Sequence, residues 1–156
     1  MTGTTTKTTI RPLAAADLEA VIGIDTQTAG RARRGFFERR LAAAVKEPKH
    51  FIYVGAEWDG TLQGFALVSI LAGEYGVADE IAVLDAIGVA PQAQGRGIGR
   101  ALMARIEQVM RDKDIHELRT ESAWTSHALL GFLEAAGFTL SPWMVLSRDV
   151  GRTADW

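Results

Sequence analysis

The sequence predicts a single α/β domain in which strands and helices are mixed around at least one crossover unit, and three observations carry that expectation. Two segments rich in Phe, Ile, Tyr, Val and Trp, His50–Glu57 and Leu62–Leu71, flank Asp59-Gly60, the strongest hairpin-turn signal in the chain. Glu80–Ala90 is apolar at nearly every position except Asp85, as expected of a central strand covered on both faces. That strand runs through a glycine-rich turn into a helix over about Ile98–Arg111, with Ile98, Leu102, Ile106 and Val109 on one stripe, and a strand at Glu117–Ala123 completes the crossover.

The remaining elements follow from the same signals. Thr8–Arg11 predicts a short first strand, which Pro12 stops ahead of a helix over Asp17–Asp25 bearing Leu18, Val21 and Ile22 on one face. A second helix carries Phe36, Phe37, Leu41 and Val45 and is closed by Pro48, while Gly73–Asp79 reads as a loop. His127–Ala136 predicts a helix ended by a left-handed cap at Gly137, and Met144–Arg148 a last strand. Residues 1–8 are expected to be a flexible N-terminal segment, 9–150 the domain and 151–156 a polar tail.

Composition removes several classes of function. A chain of 156 residues with 47% hydrophobic and 23% charged residues suits one globular domain that needs no partner to fold. Without cysteine there is no disulfide, thiolate nucleophile or Cys-ligated zinc, and the three histidines never form a His-x-x-x-His pair, so no metal is expected. The net charge of -2 gives no reason to expect nucleic acid. No apolar run reaches the length of a membrane span and the threonine-rich start lacks the pattern of a signal peptide, so a cytoplasmic location is the expectation.

The motif that carries chemistry is Gln94-Gly95-Arg96-Gly97-Ile98-Gly99-Arg100. A strand, a turn without side-chain bulk and a helix N-terminus converge several free backbone N–H groups on one point, which suits an anion. Arg96 and Arg100 add positive charge there. A dinucleotide-binding turn starting at Gly95 would need glycine where Arg100 stands, and a P-loop would need a lysine that the turn lacks.

Taken with Ile87-Gly-Val89-x-Pro91 before it, the spelling Gln94-x-x-Gly97-x-Gly99 resembles the acyl-CoA signature of the GCN5-related N-acetyltransferase superfamily. A second stretch agrees: Glu121 on a strand, Ser126, then Phe132-Leu-Glu-Ala-Ala-Gly137-Phe138. The resemblance implies a mixed, mainly antiparallel central sheet with a splayed strand and helices on both faces. It also implies acetyl-CoA as acyl donor and direct attack by an amine acceptor, a small molecule or a peptide N-terminus, in a ternary complex. Ile87 and Val89 would pair with the pantetheine arm, the main chain from Gly95 to Arg100 would hold the pyrophosphate, and Gln94 and Ser126 would match family positions that contact the cofactor.

Acetyl transfer requires a neutral amine, a carbonyl placed beside it and a donor for the developing oxyanion, which the resemblance puts at a backbone N–H near Val89. Glu121, sixteen residues before Gly137, stands where relatives that acetylate ribosomal-protein N-termini carry a catalytic glutamate. It is the first candidate base, against a role as an edge residue paired with Arg119. Asp85 is the competitor: on a two-residue period it shares a face with Val83, Ile87 and Val89. Where many members carry a tyrosine that protonates the leaving thiolate this chain has Leu133, and Tyr75 is the substitute candidate. Phe36, Phe37 and Trp124 are either acceptor-pocket walls or core, and the arginines between Arg31 and Arg40, Arg34 among them, either select the acceptor or form a solvated face. A domain that binds acyl-CoA without transferring the group would carry the same turn. The apolar last strand with Trp143, together with Trp156, offers contact residues for a homodimer.

Overall fold

The structure, a computed structural model, describes residues 7–30, 32–72 and 79–151. The chain divides into two compact units, Met1–Glu121 and Ser122–Trp156. The first holds a five-stranded sheet in the order β1 (Thr8–Pro12), β2 (Phe51–Trp58), β3 (Thr61–Leu71), β4 (Ile81–Val89) and β5 (Leu118–Arg119). Neighbours from β1 to β4 are antiparallel and β5 runs parallel to β4. Asp59 and Gly60 both take left-handed φ, 56° and 77°, the conformation that a tight two-residue hairpin demands of its central residues.

Helix α1 (Leu18–Ala29) runs four residues beyond its expected end at Asp25 and stops at Gly30, whose φ is 74°. The polar extension is helical because the hydroxyls of Thr26 and Thr28 donate to the carbonyls of Ile22 and Ile24 at 2.7 and 3.1 Å, satisfying themselves within the helix. Helices α2 (Arg34–Lys46) and α3 (Ile98–Asp112) lie close to expectation. Pro12 is the last paired residue of β1 rather than its breaker, opposite Val54.

The helices cover both faces of the sheet, and two neighbouring residues of β3 show it. A Cβ on Gly64 would meet Ile98 Cγ2 at 2.8 Å, so this position faces α3 at close range. The next residue, Phe65, points to the other face, where its ring meets Phe37 of α2 edge-on at 5.6 Å and lies over Gly88 beside Ile24 of α1. The core sits in these two layers: Leu102 and Ile106 are fully buried under α3, Phe37 and Val21 under α1 and α2.

The strand expected over Glu117–Ala123 is only two residues long, pairing Leu118 with Ala82 and Arg119 with Val83. It stops where Thr120 Oγ1 donates to the Leu84 carbonyl at 2.9 Å, taking the acceptor that a continuing strand would have used through its amide.

In the second unit α4 (His127–Ala135) ends at Gly137, φ 93°, with the Phe138 N–H returned to the Leu133 carbonyl at 3.0 Å. The strand expected over Met144–Arg148 does not form, and Met144, Val145 and Leu146 are exposed. Among the described residues of this unit no second strand is available to take up its backbone groups.

Because Gly64 is the point at which β3 touches α3, Gly64→Val is expected to overpack the interface and lower stability by about 1–3 kcal/mol. Urea unfolding monitored by circular dichroism measures it; an unchanged midpoint would show that α3 can move away at no cost.

Candidate active site

β4 is treated differently along its two edges. On one it pairs with β3 from Ile81↔Leu71 to Val89↔Gly64. On the other the ladder with β5 ends at Val83, and among the described residues no strand continues beside Asp85–Val89. This edge of β4 therefore presents a line of backbone polar groups without a strand partner among the described residues, able to bind an extended ligand.

The register also jumps within β4. Leu84 opposes Val68 and Ala86 opposes the adjacent Leu67, so Asp85 is the extra residue of a β-bulge. The bulge reverses the alternation: Val83, Ala86 and Gly88, opposite Ser69, Leu67 and Phe65, share the face under α1 and α2. Ile87 and Val89 lie on the other face, so the expectation that they share a side with Asp85 does not hold. A two-residue period counted through a bulge necessarily flips.

The Asp85 side chain is nearly buried and engaged: it accepts a short hydrogen bond from Ser69 and lies 3.3 Å from Arg40 Nη1, which also reaches Ser69 Oγ at 3.3 Å. Tyr53 of β2 joins this cluster. Its buried hydroxyl has no hydrogen-bond partner at normal geometry. Burial pushes this hydroxyl up to about 12, with Asp85 adding to the shift and the guanidinium of Arg40 opposing it. Asp85 stood out in the sequence as the carboxylate of an apolar strand, but its partners Arg40, Ser69 and Tyr53 come from three other elements and carry no local signal.

At the far end of β4 the Ala90 N–H donates to the Gln63 carbonyl at 2.7 Å, and a short 3-10 turn, Pro91–Ala93, leads to the glycine-rich segment. Gly95 and Gly97 have φ of 78° and 77°, and a Cβ on either would meet no atom within 4 Å, so an L residue would be strained but not crowded. Gly97 is the N-cap of α3 and no side chain caps that helix. The first helical bond runs from the Ala101 N–H to the Gly97 carbonyl at 3.0 Å, which leaves the amides of Ile98, Gly99 and Arg100 facing outward without a partner in the helix. The Ile98 side chain is buried, so any part it has in binding belongs to its backbone. Gln94 Nε2 donates to the Val89 carbonyl at 3.2 Å, folding over the end of the open strand. Among the described residues no group of three or more His, Asp or Glu side chains is placed to hold a metal ion, and no helix is long and apolar enough to cross a membrane.

Comparison with known proteins decides the family. The profile of the acetyltransferase (GNAT) family matches residues 16–138. The chain belongs to this family. It is 36% identical over 103 residues to the N-alpha-acetyltransferase RimI of Mycobacterium tuberculosis, a match covering 65% of this chain and 58% of that protein. It is 31% identical over 103 residues to an aminoglycoside N(6')-acetyltransferase of Stenotrophomonas maltophilia, covering 60% of this chain and 67% of that protein. Among solved structures, an aminoglycoside N-acetyltransferase in complex with CoA superposes with a TM-score of 0.79 at 19% identity, over 97% of this chain and 100% of that one. The last likeness concerns the fold alone. The mixed, mainly antiparallel sheet with helices on both faces expected of a GNAT domain is the one observed.

The other residues expected in the GNAT site fall in several places. Glu121 lies two residues beyond β5 and is exposed, not held within a strand, because the Thr120 hydroxyl has already ended the ladder. It follows Thr120 as Asp85 follows Leu84, which places the two carboxylate-bearing residues at the point where β4 and β5 part. Phe37 is fully buried against Phe65 and belongs to the core. Phe36 is half-buried, edge-on to Phe37 at 5.0 Å, with the guanidinium of Arg40 5.2 Å from its ring centre. Arg34 pairs with Glu19 at 2.8 Å and Glu38 at 3.6 Å on the surface. Arg33 holds the buried Asp25 through both carboxylate oxygens, fixing the link between α1 and α2. In the second unit Trp124 is 82% exposed and Ser126 is the N-cap of α4, its carbonyl accepting from Leu130 N–H at 2.9 Å. Tyr75 and Arg31 lie outside the described residues.

The Tyr53 shift has a measurable consequence. Folding favours the protonated phenol, so its contribution to stability is fully present below about pH 10 and is lost as the pH rises through about 12. Absorbance titration of the folded protein should show one tyrosine ionising late, and Tyr53→Phe should remove that late step with little loss of stability, since the hydroxyl makes no hydrogen bond of normal geometry. A wild-type titration with both tyrosines near pH 10 would contradict the buried placement.

Proposed function

We propose that this chain transfers an acetyl group from acetyl-CoA to an amine by direct attack. The observation that carries this reading is the open edge of β4 from Asp85 to Val89, running into the uncapped N-terminus of α3. An extended backbone edge suits the amide-bearing pantetheine arm, with Ile87 and Val89 as its pairing residues, and the amides following Gly97 suit the pyrophosphate. The residues fit the donor at both ends, since nothing occupies the space beside Gly95 and Gly97 where a phosphate would approach.

In this reading the acceptor nitrogen attacks the thioester carbonyl, the C–N bond forms as the C–S bond breaks, and Glu121 takes the amine proton directly or through one water. Glu121 suits that role better than Asp85, whose carboxylate is already engaged by Ser69 and Arg40. Asp85 then serves to hold the bulge that directs the second half of β4. A backbone N–H near Val89 donates to the developing oxyanion. The thiolate can depart unprotonated, because a thiol of pKa near 8.5 makes this worth only roughly 2 kcal/mol at pH 7.

The relatives' names point to two kinds of acceptor, a protein N-terminus and an aminoglycoside. We place the acceptor against α1 and α2, where Arg34 is shared by Glu19 and Glu38, Arg33 pairs with Asp25 and Arg40 with Asp85, and the exposed Arg39 balances the fourth carboxylate. A face without surplus negative charge favours a peptide N-terminus or a singly charged amine over a polycation.

Thiol release from acetyl-CoA, followed with peptides, amino acids, polyamines and aminoglycosides in parallel, tests the proposal. Release with none of them, while CoA still binds, would leave a binding domain without transfer chemistry. With an active acceptor, Glu121→Gln is expected to lower kcat about 100-fold with little change in the KM for acetyl-CoA. Unchanged turnover removes Glu121 from the mechanism. Gly97→Val, strained at a φ of 77° and bulky at the mouth of the helix, is expected to weaken CoA binding at least tenfold, read by calorimetry.

A further inference from the structure

The geometry points to Trp58 as the residue that positions Arg96 to grip a phosphate of the donor, an inference that rests on the acyl-CoA reading of the turn. Arg96 stands between two left-handed glycines on an exposed turn, where the backbone gives its long side chain no fixed direction. A direction is nonetheless imposed: its guanidinium carbon lies 4.7 Å from the ring centre of Trp58.

The kind of partner matters. A carboxylate would consume the guanidinium N–H groups and cancel the charge, and Arg96 takes part in none of the ion pairs among the described residues. An aromatic face holds the cation by its plane and leaves the in-plane donors pointing outward, with the charge intact. That is the state in which a guanidinium meets two oxygens of one phosphate.

Trp58 is well placed to serve as a fixed support. It is the last residue of β2, paired with Thr8 on one side and Thr61 on the other, immediately before the tight Asp59-Gly60 turn. The same hairpin end supports the donor turn at three further points. The Gln63 carbonyl accepts from Ala90 N–H at 2.7 Å, Gln63 Oε1 accepts from Gln92 Nε2 at 3.0 Å, and Gly64 lies against Ile98. The tip of the β2–β3 hairpin is thus the platform of the cradle, and Trp58 extends that platform to Arg96. CoA offers two sources of phosphate oxygen, the pyrophosphate and the 3′-phosphate of its ribose, and the test separates them.

Titration calorimetry on the full chain, with CoA, dephospho-CoA and pantetheine, compares wild type with Trp58→Leu, Trp58→Phe, Arg96→Gln and the Leu–Gln double variant. Trp58→Leu is expected to weaken CoA about tenfold and to leave pantetheine, which has no phosphate, unaffected. Trp58→Phe keeps an aromatic face and should recover most of the loss. In the Arg96→Gln background Trp58→Leu should cost nothing more, because the residue acts only through Arg96. A loss that persists with dephospho-CoA assigns the grip to the pyrophosphate; a loss that disappears assigns it to the 3′-phosphate. Unchanged CoA affinity in Trp58→Leu, equal weakening of pantetheine, or additive losses in the double variant would each overturn the inference while wild-type binding upholds the donor reading. Wild-type protein that binds no CoA would instead overturn the donor reading itself.

Discussion

β4 has to satisfy its backbone groups on two edges, and the described residues provide a complete partner for only one of them. Pairing with β3 continues as far as Val89↔Gly64, while the two-residue β5 ends as soon as the Thr120 hydroxyl occupies the Leu84 carbonyl. Backbone N–H and C=O groups left without partners in a protein interior are costly, so such an edge survives only where water or a ligand can meet it. The position of the open edge and the placement of the two carboxylates follow from where that ladder stops.

Around this strand the fold brings helices close from both sides at the same level. Gly64 and Gly88 occupy successive rungs of the β3–β4 ladder, opposite Val89 and Phe65. The first allows α3 to lie against the sheet, and the second makes room for the Phe65 ring beneath α1 and α2. Larger residues at either position would raise a helix from the sheet, and with α3 would move the amides at its N-terminus. The bulge at Asp85 has a comparable effect within the sheet. It adds local twist and carries its carboxylate to Ser69 and Arg40, tying the donor strand to α2.

How far the sequence could be followed depended on whether a feature was local. Asp59-Gly60 requires positive φ at two adjacent residues, and the α3 stripe repeats every three or four residues, so both were legible without any neighbour. The turn from Gln94 to Arg100 was legible for the same reason. The bulge was not, because an extra residue is defined only against the opposing strand, and missing it put Ile87 and Val89 on the wrong face relative to Asp85. β5 was overestimated because what ends it is a side chain bonding across to β4. Phe36 and Phe37 are adjacent in sequence yet divide between a half-buried cation-stacked ring and the core, a division that the angle of α2 against the sheet decides.

The near-neutral composition conceals a division of labour among the arginines. Arg11 is paired with Asp17 and Glu57, Arg33 with Asp25, Arg34 with Glu19 and Glu38, and Arg40 with Asp85. Each joins one element to another, and the pair of Arg33 with the buried Asp25 is the most demanding, since an uncompensated carboxylate there would be strongly unfavourable. Arg96 and Arg100 enter no such pair among the described residues, and they stand beside helix amides that already carry partial positive charge. A net charge of -2 is therefore compatible with a strongly cationic point. The field that draws an anionic cofactor depends on which cations are left uncompensated and where, and two of them stand at the end of β4 where the backbone is also open.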